Sequence, residues 1–404
     1  MNLTLQNIPH YLSKKISDLA AADPDIVNLS IGEPYFGPPQ ILGNRFLDYV
    51  QSHLHTGGLP NKYAPTRGEE SLRQAISQRY QRLYGVQPNP ESEVLITHGA
   101  IEAIWLSILC LTNPGEEILI PDPTYNLYET AVRLLERIPV RVPTRVENGF
   151  VLDPSDVKSF ISAKTKLLFI NSPENPTGAA YPREVFQGLG DLALHHGFYL
   201  VHDEVYDSMV FRQAHYNLLH ESEWPPYLVL INSFSKRYSM MGWRLGWMAG
   251  PEAIITAAVK AHTNLTLNLV GFHQTVAGSL LNDPAVEAET AAHVQQIERQ
   301  LNALSNALDQ HEGFQPLPMQ PKGGLFLFPN ILPYFSQLPL EWQKKHATPG
   351  EVVAAHLLQN GKVAVVPGYV YGPSGANHVR LVGAVAASEI ERACQRFQNH
   401  SLRV

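Results

Sequence analysis

Short apolar segments alternate with segments of helical periodicity through the middle of this sequence, and this alternation limits the possible folds more than any other feature. The apolar segments have apolar residues on both faces, as expected of strands that helices cover on both sides. The predicted strands are Val94–Thr97, Ile118–Pro121, Leu167–Asn171, Tyr199–His202, Leu228–Asn232 and Leu245–Ala249. Strands separated by helices predict an α/β fold of three layers, with a mostly parallel sheet in the middle.

One of the helical segments has a recognisable start signal. Thr66-Arg-Gly-Glu69 has the form of a capping box, in which two side chains satisfy free backbone N–H groups at a helix start. The apolar residues that follow it at helical spacing are Leu72, Ile76, Tyr80 and Leu83. We therefore predict that a helix begins at this motif.

A long amphipathic helix, predicted from Pro284 to Leu308, marks a change in the pattern. The strand signals beyond it are Gly324–Phe328, Val363–Val366 and Val379–Val382. The N-terminal segment is rich in proline and glycine and is typical of an arm. We predict an arm with part of a small domain at 1–44, a large domain at 45–290, and the rest of a small α+β domain at 291–404.

Composition and charge exclude several classes of protein. The net charge is −7 with no long run of either sign, which argues against nucleic acid or an anionic membrane as a partner. The most apolar helical stretch, Ile101–Leu111, is too short to span a bilayer. Residues 1–16 show no secretory signal, so we expect a cytoplasmic protein. Cys110 and Cys394 have no metal or redox spacing, and two buried thiols are favoured over a disulfide.

Five of the predicted strands are each followed by small, polar or ionisable residues. These segments are His98-Gly99-Ala100, Asp122-Pro-Thr-Tyr125, Ser172-Pro-Glu-Asn175-Pro-Thr-Gly178, Asp203-Glu-Val-Tyr206 and Ser233-Phe-Ser-Lys236. Ligands of wound α/β sheets bind beyond the carboxyl ends of the strands. We therefore expect the five segments to form one site.

The residue types in these segments match the parts of a phosphorylated pyridine cofactor. Lys236 can form a Schiff base if the site lowers its pKa, and Asp203 can keep a pyridine nitrogen protonated. Asn175 and Tyr206 can hydrogen-bond a phenolate oxygen, while Tyr125 can stack on the ring. The candidate phosphate ligands are Ser233, Ser235, Arg244 and the backbone N–H groups of Gly99 and Ala100 at a helix start.

Each segment also has a plain structural interpretation. Ser-Phe-Ser-Lys can be an ordinary loop, Asp203-Glu204 a helix start, and Asn175–Gly178 a turn. Arg380 can be the charge of an edge strand. His195-His196 with His202 can suggest a metal, but no second ligand set has a recognisable spacing, so we favour core or surface histidines and predict no metal site. The joint order and placement of the segments favours the functional interpretation.

Three longer segments combine these residues into motifs. They are Asn171-Ser-Pro-Glu-Asn-Pro-Thr-Gly178, His202-Asp-Glu-Val-Tyr206 and Ser233-Phe-Ser-Lys-Arg-Tyr-Ser-Met-Met-Gly-Trp-Arg-Leu-Gly246. The motifs resemble those of the class I and II aminotransferases that use pyridoxal phosphate (PLP), and more narrowly the bacterial aspartate-aminotransferase-like branch. The resemblance runs from about Leu29 to Val382 and also includes Gly32-Glu-Pro34, Tyr63-Ala-Pro-Thr-Arg-Gly68 and His378-Val-Arg-Leu381. It implies PLP fold type I and a ping-pong transfer of an amino group between an L-amino acid and a 2-oxo acid.

The resemblance also implies a role for each candidate residue that binds the cofactor. Lys236 is then the Schiff-base lysine and the general base at the substrate Cα, and Asp203 partners the pyridine nitrogen. Asn175 and Tyr206 bind the ring hydroxyl, and Tyr125 stacks on the ring. The implied phosphate ligands are Gly99, Ala100, Ser233, Ser235 and Arg244.

Substrate binding and assembly follow from the same resemblance. Arg380 would clamp the substrate α-carboxylate with both ends of its guanidinium, and Asn175 would also lie against the substrate. Gly32 would bring its backbone close to that carboxylate. Tyr63 would reach the phosphate of a neighbouring subunit, so the resemblance implies a homodimer.

Three residues depart from the pattern of the family. Tyr35 replaces an aspartate that commonly follows Gly-Glu-Pro, Ile101 stands where some relatives with acidic substrates have a basic residue, and Glu174 replaces a neutral residue. We infer an amino acid whose side chain is not simply a short acid. Two alternatives stay open: elimination, replacement, cyclisation or oxidation after Cα deprotonation, and a PLP-binding regulatory or scaffold protein without turnover.

Overall fold

A sheet of seven strands runs through the centre of the computed structural model, which describes residues 3–6, 8, 12–54, 62–221, 224–317 and 320–399. In chain order its strands are β2 (Val94–Thr97), β3 (Glu117–Asp122), β4 (Ile138–Pro143), β5 (Thr165–Asn171), β6 (Tyr199–Asp203), β7 (Leu228–Ser233) and β8 (Gly246–Ala249), since β1 (Val27–Asn28) pairs elsewhere. Their order across the sheet is β2-β8-β7-β6-β5-β3-β4. Only β8 runs antiparallel to its neighbours within these described strands, so the predicted mostly parallel sheet is confirmed.

The sequence did not predict β4, which lies at one edge of the sheet and pairs with β3 alone among the described strands. Pro139 and Pro143 of this strand are unusual in the middle of a sheet, because proline cannot donate to the ladder. The strand also contains the charged Arg141. An edge strand tolerates these residues, since one side of its backbone needs no partner strand.

Alternate residues of the central strands pack into two different apolar clusters, one on each face. In β5, for example, Leu168 and Ile170 face one cluster while Leu167 and Phe169 face the other. The helices of the first cluster are α4 (Glu70–Tyr84), α8 (Arg183–His196) and α11 (Gly271–Gly278). Those of the second are α5 (Gly99–Leu111), α6 (Leu127–Leu134) and α10 (Glu252–Leu265). The three predicted layers are therefore present.

The helices connect the strands and build the second, smaller part of the structure. They are α1 (Leu3–Gln6), α2 (Leu12–Ala21), α3 (Ile41–Leu54), α4 (Glu70–Tyr84), α5 (Gly99–Leu111), α6 (Leu127–Leu134), α7 (Pro154–Phe160), α8 (Arg183–His196), α9 (Phe234–Arg237), α10 (Glu252–Leu265), α11 (Gly271–Gly278), α12 (Pro284–Asp309), α13 (Leu332–Gln337), α14 (Leu340–Gln343), α15 (Pro349–His356) and α16 (Ala387–Asn399). The predicted long helix is confirmed as α12, and the side chain of Asp283 caps its start. No described helix is long and apolar enough to cross a membrane.

The predicted capping box at Thr66–Glu69 is wrong. Helix α4 begins at Glu70, and no side chain caps it. Gly68 lies at a φ of +97°, and the carbonyl oxygen of Arg67 accepts a hydrogen bond of 3.0 Å from the N–H of Ile96, so the segment is a turn against β2. The Glu69 N–H donates instead to the side chain of Gln274, at 2.7 Å. A partner so distant in sequence satisfies the helix start without a local motif.

Two small sheets lie outside the central one and are built from both ends of the chain. β1 pairs with β10 (Val363–Ala364), while β11 (Val366–Pro367), β12 (Val379–Val382) and β9 (Phe326–Leu327) form the other sheet. The single strand predicted at Val363–Val366 is thus wrong, because the chain changes from one sheet to the other at Val365. The domain limits at 44 and 290 stay a prediction.

The two cysteines are both free, and each is partly exposed rather than buried as predicted. Cys110 lies near the end of α5 and Cys394 lies in α16. The prediction of two thiols holds for these residues, but their burial was overestimated because each lies at the edge of a helix face.

A buried group of ion pairs joins α4, α9 and α12 to the segment after β6. Arg79 donates to Asp207 at 2.6 Å, and Arg237 approaches the other carboxylate oxygen of Asp207 at 3.5 Å. Burial alone would raise the pKa of Asp207, but Arg79 and Arg237 outweigh it and hold that pKa below its ordinary value. Glu287 of α12 pairs with both arginines. Since Arg237 follows Lys236, the group also anchors the helix that carries this lysine.

We expect Asp207→Ala to lower the free energy of unfolding by about 3 kcal/mol, because it leaves the buried Arg79 with only its longer pair to Glu287. Urea unfolding at neutral pH measures this loss. Glu298→Ala is the matched control, since its pair with Arg212 lies at the surface and should contribute less than about 1 kcal/mol. Equal losses in the two variants would contradict a structural role for the buried group.

Candidate active site

The segments that follow β2, β3, β5, β6 and β7 meet at one cavity of about 320 Å³. These five strands are parallel, so their carboxyl ends reach the same edge of the sheet, as the sequence predicted. The predicted site residues that line the cavity are Gly32, Ala100, Tyr125, Asn175, Asp203, Tyr206, Ser233, Ser235, Lys236, Arg244 and Arg380. Residues from the N-terminal arm, the sheet edge and the C-terminal sheet thus enclose one space.

Asp203 ends β6 and lies buried at the cavity wall. Its carboxylate accepts a hydrogen bond of 2.7 Å from the hydroxyl of Tyr128 and one of 3.2 Å from the N–H of Val205. Burial raises the pKa of Asp203 to about 6, against the lowering effect of these two donors. No salt bridge of the described residues involves this carboxylate, so a cationic ligand would be stabilised beside it.

Lys236 lies in α9, and its side chain enters the cavity from the end of β7. The ammonium group donates to the carbonyl oxygen of Gly32 at 2.5 Å. Burial is the main cause that lowers the pKa of Lys236 to about 8; Glu33 and Asp203 oppose this lowering, while Arg380 and Arg244 add to it. The neutral amine, which is the nucleophilic form, is therefore accessible near physiological pH.

Arg380 comes from β12 and lies at the cavity with only 3% of its surface exposed. It donates to the side-chain oxygen of Asn175 at 3.1 Å and to the carbonyl oxygen of Ser30 at 2.6 Å. Its Nε atom is buried without a hydrogen-bond partner among the described residues. The bond to Asn175 uses the amide oxygen, so the amide N–H₂ group remains to serve as a donor. A buried cation with an N–H that has no hydrogen-bond partner favours the binding of an anionic ligand.

The start of α5 forms a cradle of hydrogen-bond donors. Gly99 has a φ of +69°, and a Cβ atom at this position would lie 2.7 Å from Nη2 of Arg244. A side chain here would displace this guanidinium from the helix start, and the positive φ itself favours glycine. The Ser233 hydroxyl accepts from the N–H of Ser235 at 3.2 Å and can donate its own hydrogen to a ligand. Backbone N–H groups, hydroxyls and an arginine together form an anion site suited to phosphate.

The sequence matches the family model of aminotransferase class I and II over residues 24–397. The chain belongs to this family. It lies in the aspartate-aminotransferase-like branch, and it is a PLP-dependent enzyme as the resemblance implied. Regulatory or scaffold function without turnover is therefore not favoured.

The proteins that this aminotransferase resembles are named after different substrates. It is 31% identical to an aspartate aminotransferase of Pyrococcus abyssi, over 95% of this chain and 94% of that protein. It is 32% identical to an arginine–pyruvate transaminase of Pseudomonas aeruginosa, over 92% and 89% of the two chains. The structure of the Thermus thermophilus aspartate aminotransferase with maleate matches it with a TM-score of 0.86 and 29% identity, covering 98% of each chain. The predicted PLP-transferase fold is confirmed.

The residues of the cavity fit PLP. The acid beside Tyr128 suits a protonated pyridine nitrogen, the donor cradle at Gly99 suits a phosphate, and Lys236 can reach a carbonyl group between them. Asn175 and Tyr206 both line the cavity, where the amide and the phenol can meet a ring hydroxyl.

Tyr63 does not line the cavity of its own chain, and 82% of its surface is exposed.

Several residues that line the cavity were not predicted from the sequence: Ser13, Lys14, Glu33, Ile104, Asn171, Met241 and Phe326. Asn171 bridges the backbone of Asp203, at 2.9 Å, to the N–H of Asn175, at 2.9 Å. Its place at the end of the predicted strand β5 was the signal that could have identified it.

Three of the described residues near Asp203 are close enough together to be possible metal ligands. They are His202 of β6, Glu204 directly after this strand, and His215. The hydroxyl of Tyr80 donates to Glu204 at 2.8 Å, Asn217 donates at 3.0 Å, and His215 lies at 3.2 Å. Glu204 therefore already has hydrogen-bond partners for both carboxylate oxygens. The cluster is adequately explained as a buried hydrogen-bond network that joins α4 to β6.

Proposed function

We propose that the aminotransferase moves an amino group between an L-amino acid and a 2-oxo acid in two half-reactions at this cavity. The observation that carries the proposal is that Lys236, Asp203 and Arg380 line one cavity, together with residues of the donor cradle. A lysine, a buried acid and a buried arginine in one cavity provide a base, a partner for a cationic ring and a carboxylate clamp.

PLP supplies the electron sink that stabilises negative charge at the substrate Cα. Asp203 would hold the pyridine nitrogen in its protonated form, and its own hydrogen bond from Tyr128 keeps the carboxylate in place. Asn175 and Tyr206 would bind the ring hydroxyl, and Tyr125 would cover one face of the ring. The phosphate ligands would be Gly99, Ala100, Ser233, Ser235 and Arg244.

Lys236 would bind the cofactor covalently and, once displaced by the substrate, act as the general base at the substrate Cα. Its lowered pKa supports both roles, because a neutral amine is needed for attack and for proton removal. Its bond to the carbonyl of Gly32 shows that the ammonium group reaches the side of the cavity where the arm lies.

Arg380 would bind the substrate α-carboxylate. Its unused Nε–H lies in a buried site, and the contacts of its guanidinium with Phe326 (4.7 Å) and Tyr371 (5.1 Å) hold the plane of the group. A Cβ atom on Gly32 would lie 3.3 Å from the ring of Phe326, so glycine lets the backbone of the arm pass close to this clamp. Asn175, which accepts from Arg380, would join substrate and cofactor binding.

The proposed homodimer places Tyr63 at the phosphate of the partner's site. Tyr63 is exposed in the single chain, and the adjacent Ala64 lies close to Gly271. Leu265 at the end of α10 and Val270 just before α11 are 59% and 48% exposed, so apolar surface is available for a partner subunit. A cytoplasmic location stays a prediction from the sequence.

The substrate side chain would contact an apolar wall. Ile101, Ile104 and Met241 line the cavity, and Ile101 is partly exposed there. The names of the relatives include aspartate, aromatic amino acids and arginine, so family membership alone leaves the donor open. We propose a donor with an apolar or long side chain rather than a short acidic one.

Single amino acids added to the PLP-loaded enzyme, without a 2-oxo acid, test this function. We expect one equivalent of the matching 2-oxo acid per active site and then no further product, because the second half-reaction lacks its acceptor. Donors with apolar side chains should react at least about tenfold faster than aspartate, a preference that one or two buried methylene groups can provide. Continued release of product and ammonia would contradict transamination and favour a lyase.

A further inference from the structure

Glu174 is a buried acid that the proposed mechanism does not use, next in sequence to the cavity residue Asn175. It lies between Pro173 and Asn175, in the loop after β5, and only 1% of its surface is exposed. No ion pair of the described residues involves it, and one of its carboxyl oxygens has no partner within hydrogen-bond distance, with the Tyr181 hydroxyl as a more distant polar neighbour. An ionised carboxylate in such a place would be strongly unfavourable.

The other carboxyl oxygen of Glu174 joins two of the loops that form the site. It accepts a hydrogen bond of 2.8 Å from the hydroxyl of Thr124, which is also buried. Thr124 belongs to the loop after β3 and precedes Tyr125, while Glu174 precedes Asn175. The bond therefore links the residue proposed to stack on the cofactor ring with the residue proposed to bind the ring hydroxyl.

The backbone on both sides of this link is fixed. The N–H of Glu174 donates to the carbonyl of Ala179 at 2.8 Å, and its carbonyl accepts from Gly178 at 2.9 Å. The N–H of Thr124 donates to the carbonyl of Tyr371 at 3.0 Å. With both backbones held, the side-chain bond between Thr124 and Glu174 sets the distance between the two loops.

The ionisable groups near Glu174 are Asp203, Tyr181 and Tyr128. Burial raises the pKa of Glu174 well above its ordinary value; the bond from Thr124 lowers it, Asp203 raises it, and Tyr181 lowers it. The hydroxyl of Tyr181 is itself buried, and the Glu174 carboxyl and the Leu152 backbone are its polar neighbours. The proton of a neutral Glu174 can therefore be donated towards Tyr181 while the carbonyl oxygen accepts from Thr124.

We propose that Glu174 is a positioning residue which, as an uncharged carboxylic acid, holds the Tyr125 and Asn175 loops at the spacing that the cofactor needs. A neutral residue at this position would do the same if it could accept from Thr124 and donate towards Tyr181. Glutamine has both groups and nearly the same shape. The inference rests on the proposed assignment of the cavity as the PLP site.

The test compares Glu174→Gln, Glu174→Ala and Thr124→Val with the wild type. Each protein is freed of PLP and titrated with it, and the visible absorbance gives the Kd and the pH midpoint of the bound cofactor. We expect Glu174→Gln to keep the Kd within about threefold and the midpoint unchanged, while Glu174→Ala and Thr124→Val raise the Kd about tenfold, as expected for a lost buried hydrogen bond. Glu184→Gln, an exposed glutamate of α8, is the matched control.

Two results would overturn the proposal. A shifted midpoint in Glu174→Gln would show that an ionised carboxylate had been removed, and a wild-type Kd in both Glu174→Ala and Thr124→Val would show that the link does not position the loops. Thr124→Val keeps the shape of the side chain, so it remains informative if the alanine variant does not fold. Loss of the visible band in the wild type, or its retention in Lys236→Ala, would contradict the proposed function instead.

Discussion

Lys236→Ala is expected to lower kcat by at least about 10⁴-fold, because it removes the general base at the substrate Cα together with the covalent attachment of PLP. The fold should remain, since the helix that carries this lysine is anchored by the pairs of Arg237 with the buried Asp207 and the partly exposed Glu287. The initial rate of 2-oxo acid formation measures the loss, and the visible spectrum shows the loss of attachment.

Lys260→Ala provides the control for this experiment. Lys260 lies exposed on α10, outside the cavity, and its replacement should leave both rate and spectrum at wild-type values. A Lys236→Ala protein that kept even a tenth of the wild-type rate would contradict the assignment of this lysine.

Asp203→Asn is expected to lower kcat by about 10²–10³-fold, since a neutral amide cannot hold a positive charge on the pyridine nitrogen. The amide has nearly the same shape, and the Tyr128 hydroxyl can rotate to accept from it, so the cavity should persist. Rates measured at saturating PLP separate this effect from weaker cofactor binding. Asp191→Asn, on the exposed side of α8, should have no effect.

The same variant should make the PLP-free protein more stable at pH 8. The pKa of Asp203 is about 6 in the folded protein and near its ordinary value of 3.8 in the unfolded chain, so the unfolded state releases its proton first as the pH rises. The contribution of Asp203 to the free energy of unfolding is fully present below about pH 4 and is lost as the pH rises through 6. We expect Asp203→Asn to gain about 1–3 kcal/mol at pH 8, with a smaller gain at pH 5.

Urea unfolding of the two PLP-free proteins at both pH values measures this difference. An equal gain at pH 5 and pH 8 would show that titration of Asp203 is not its cause. The opposite directions of the activity and stability effects are expected of a residue placed for a cationic ligand rather than for the fold.

Much of the central sheet could be predicted because its strands are apolar on both faces, which only a covered position explains. The strands at Leu167–Asn171 and Tyr199–His202 are of this kind. The edge strand at Ile138–Pro143 lacked this apolar pattern, because one edge of its backbone needs no partner strand. The capping box failed because Gln274, far along the chain, satisfies the start of α4. Tertiary contacts of this type leave no trace in local spacing.

The candidate site was predictable to the extent that its residues follow strands. Asp203 and Asn175 were found in this way, whereas Tyr128 was missed because it lies inside a helix, where an aromatic residue ordinarily belongs to the core. Phe326 lies in β9 and contacts Arg380 of the neighbouring strand β12, so it was missed because its place at the cavity depends on how these two strands pair. The roles assigned to these residues stay proposals.

The central claim is that Lys236 in this cavity holds PLP covalently for transamination. The most direct measurement is reduction of the PLP-loaded enzyme with borohydride, followed by digestion and mass spectrometry of the lysine peptides. We predict one cofactor adduct per chain, on Lys236, and its disappearance when a reactive amino acid donor is added before reduction. An adduct on another lysine, or none at all, would contradict the account.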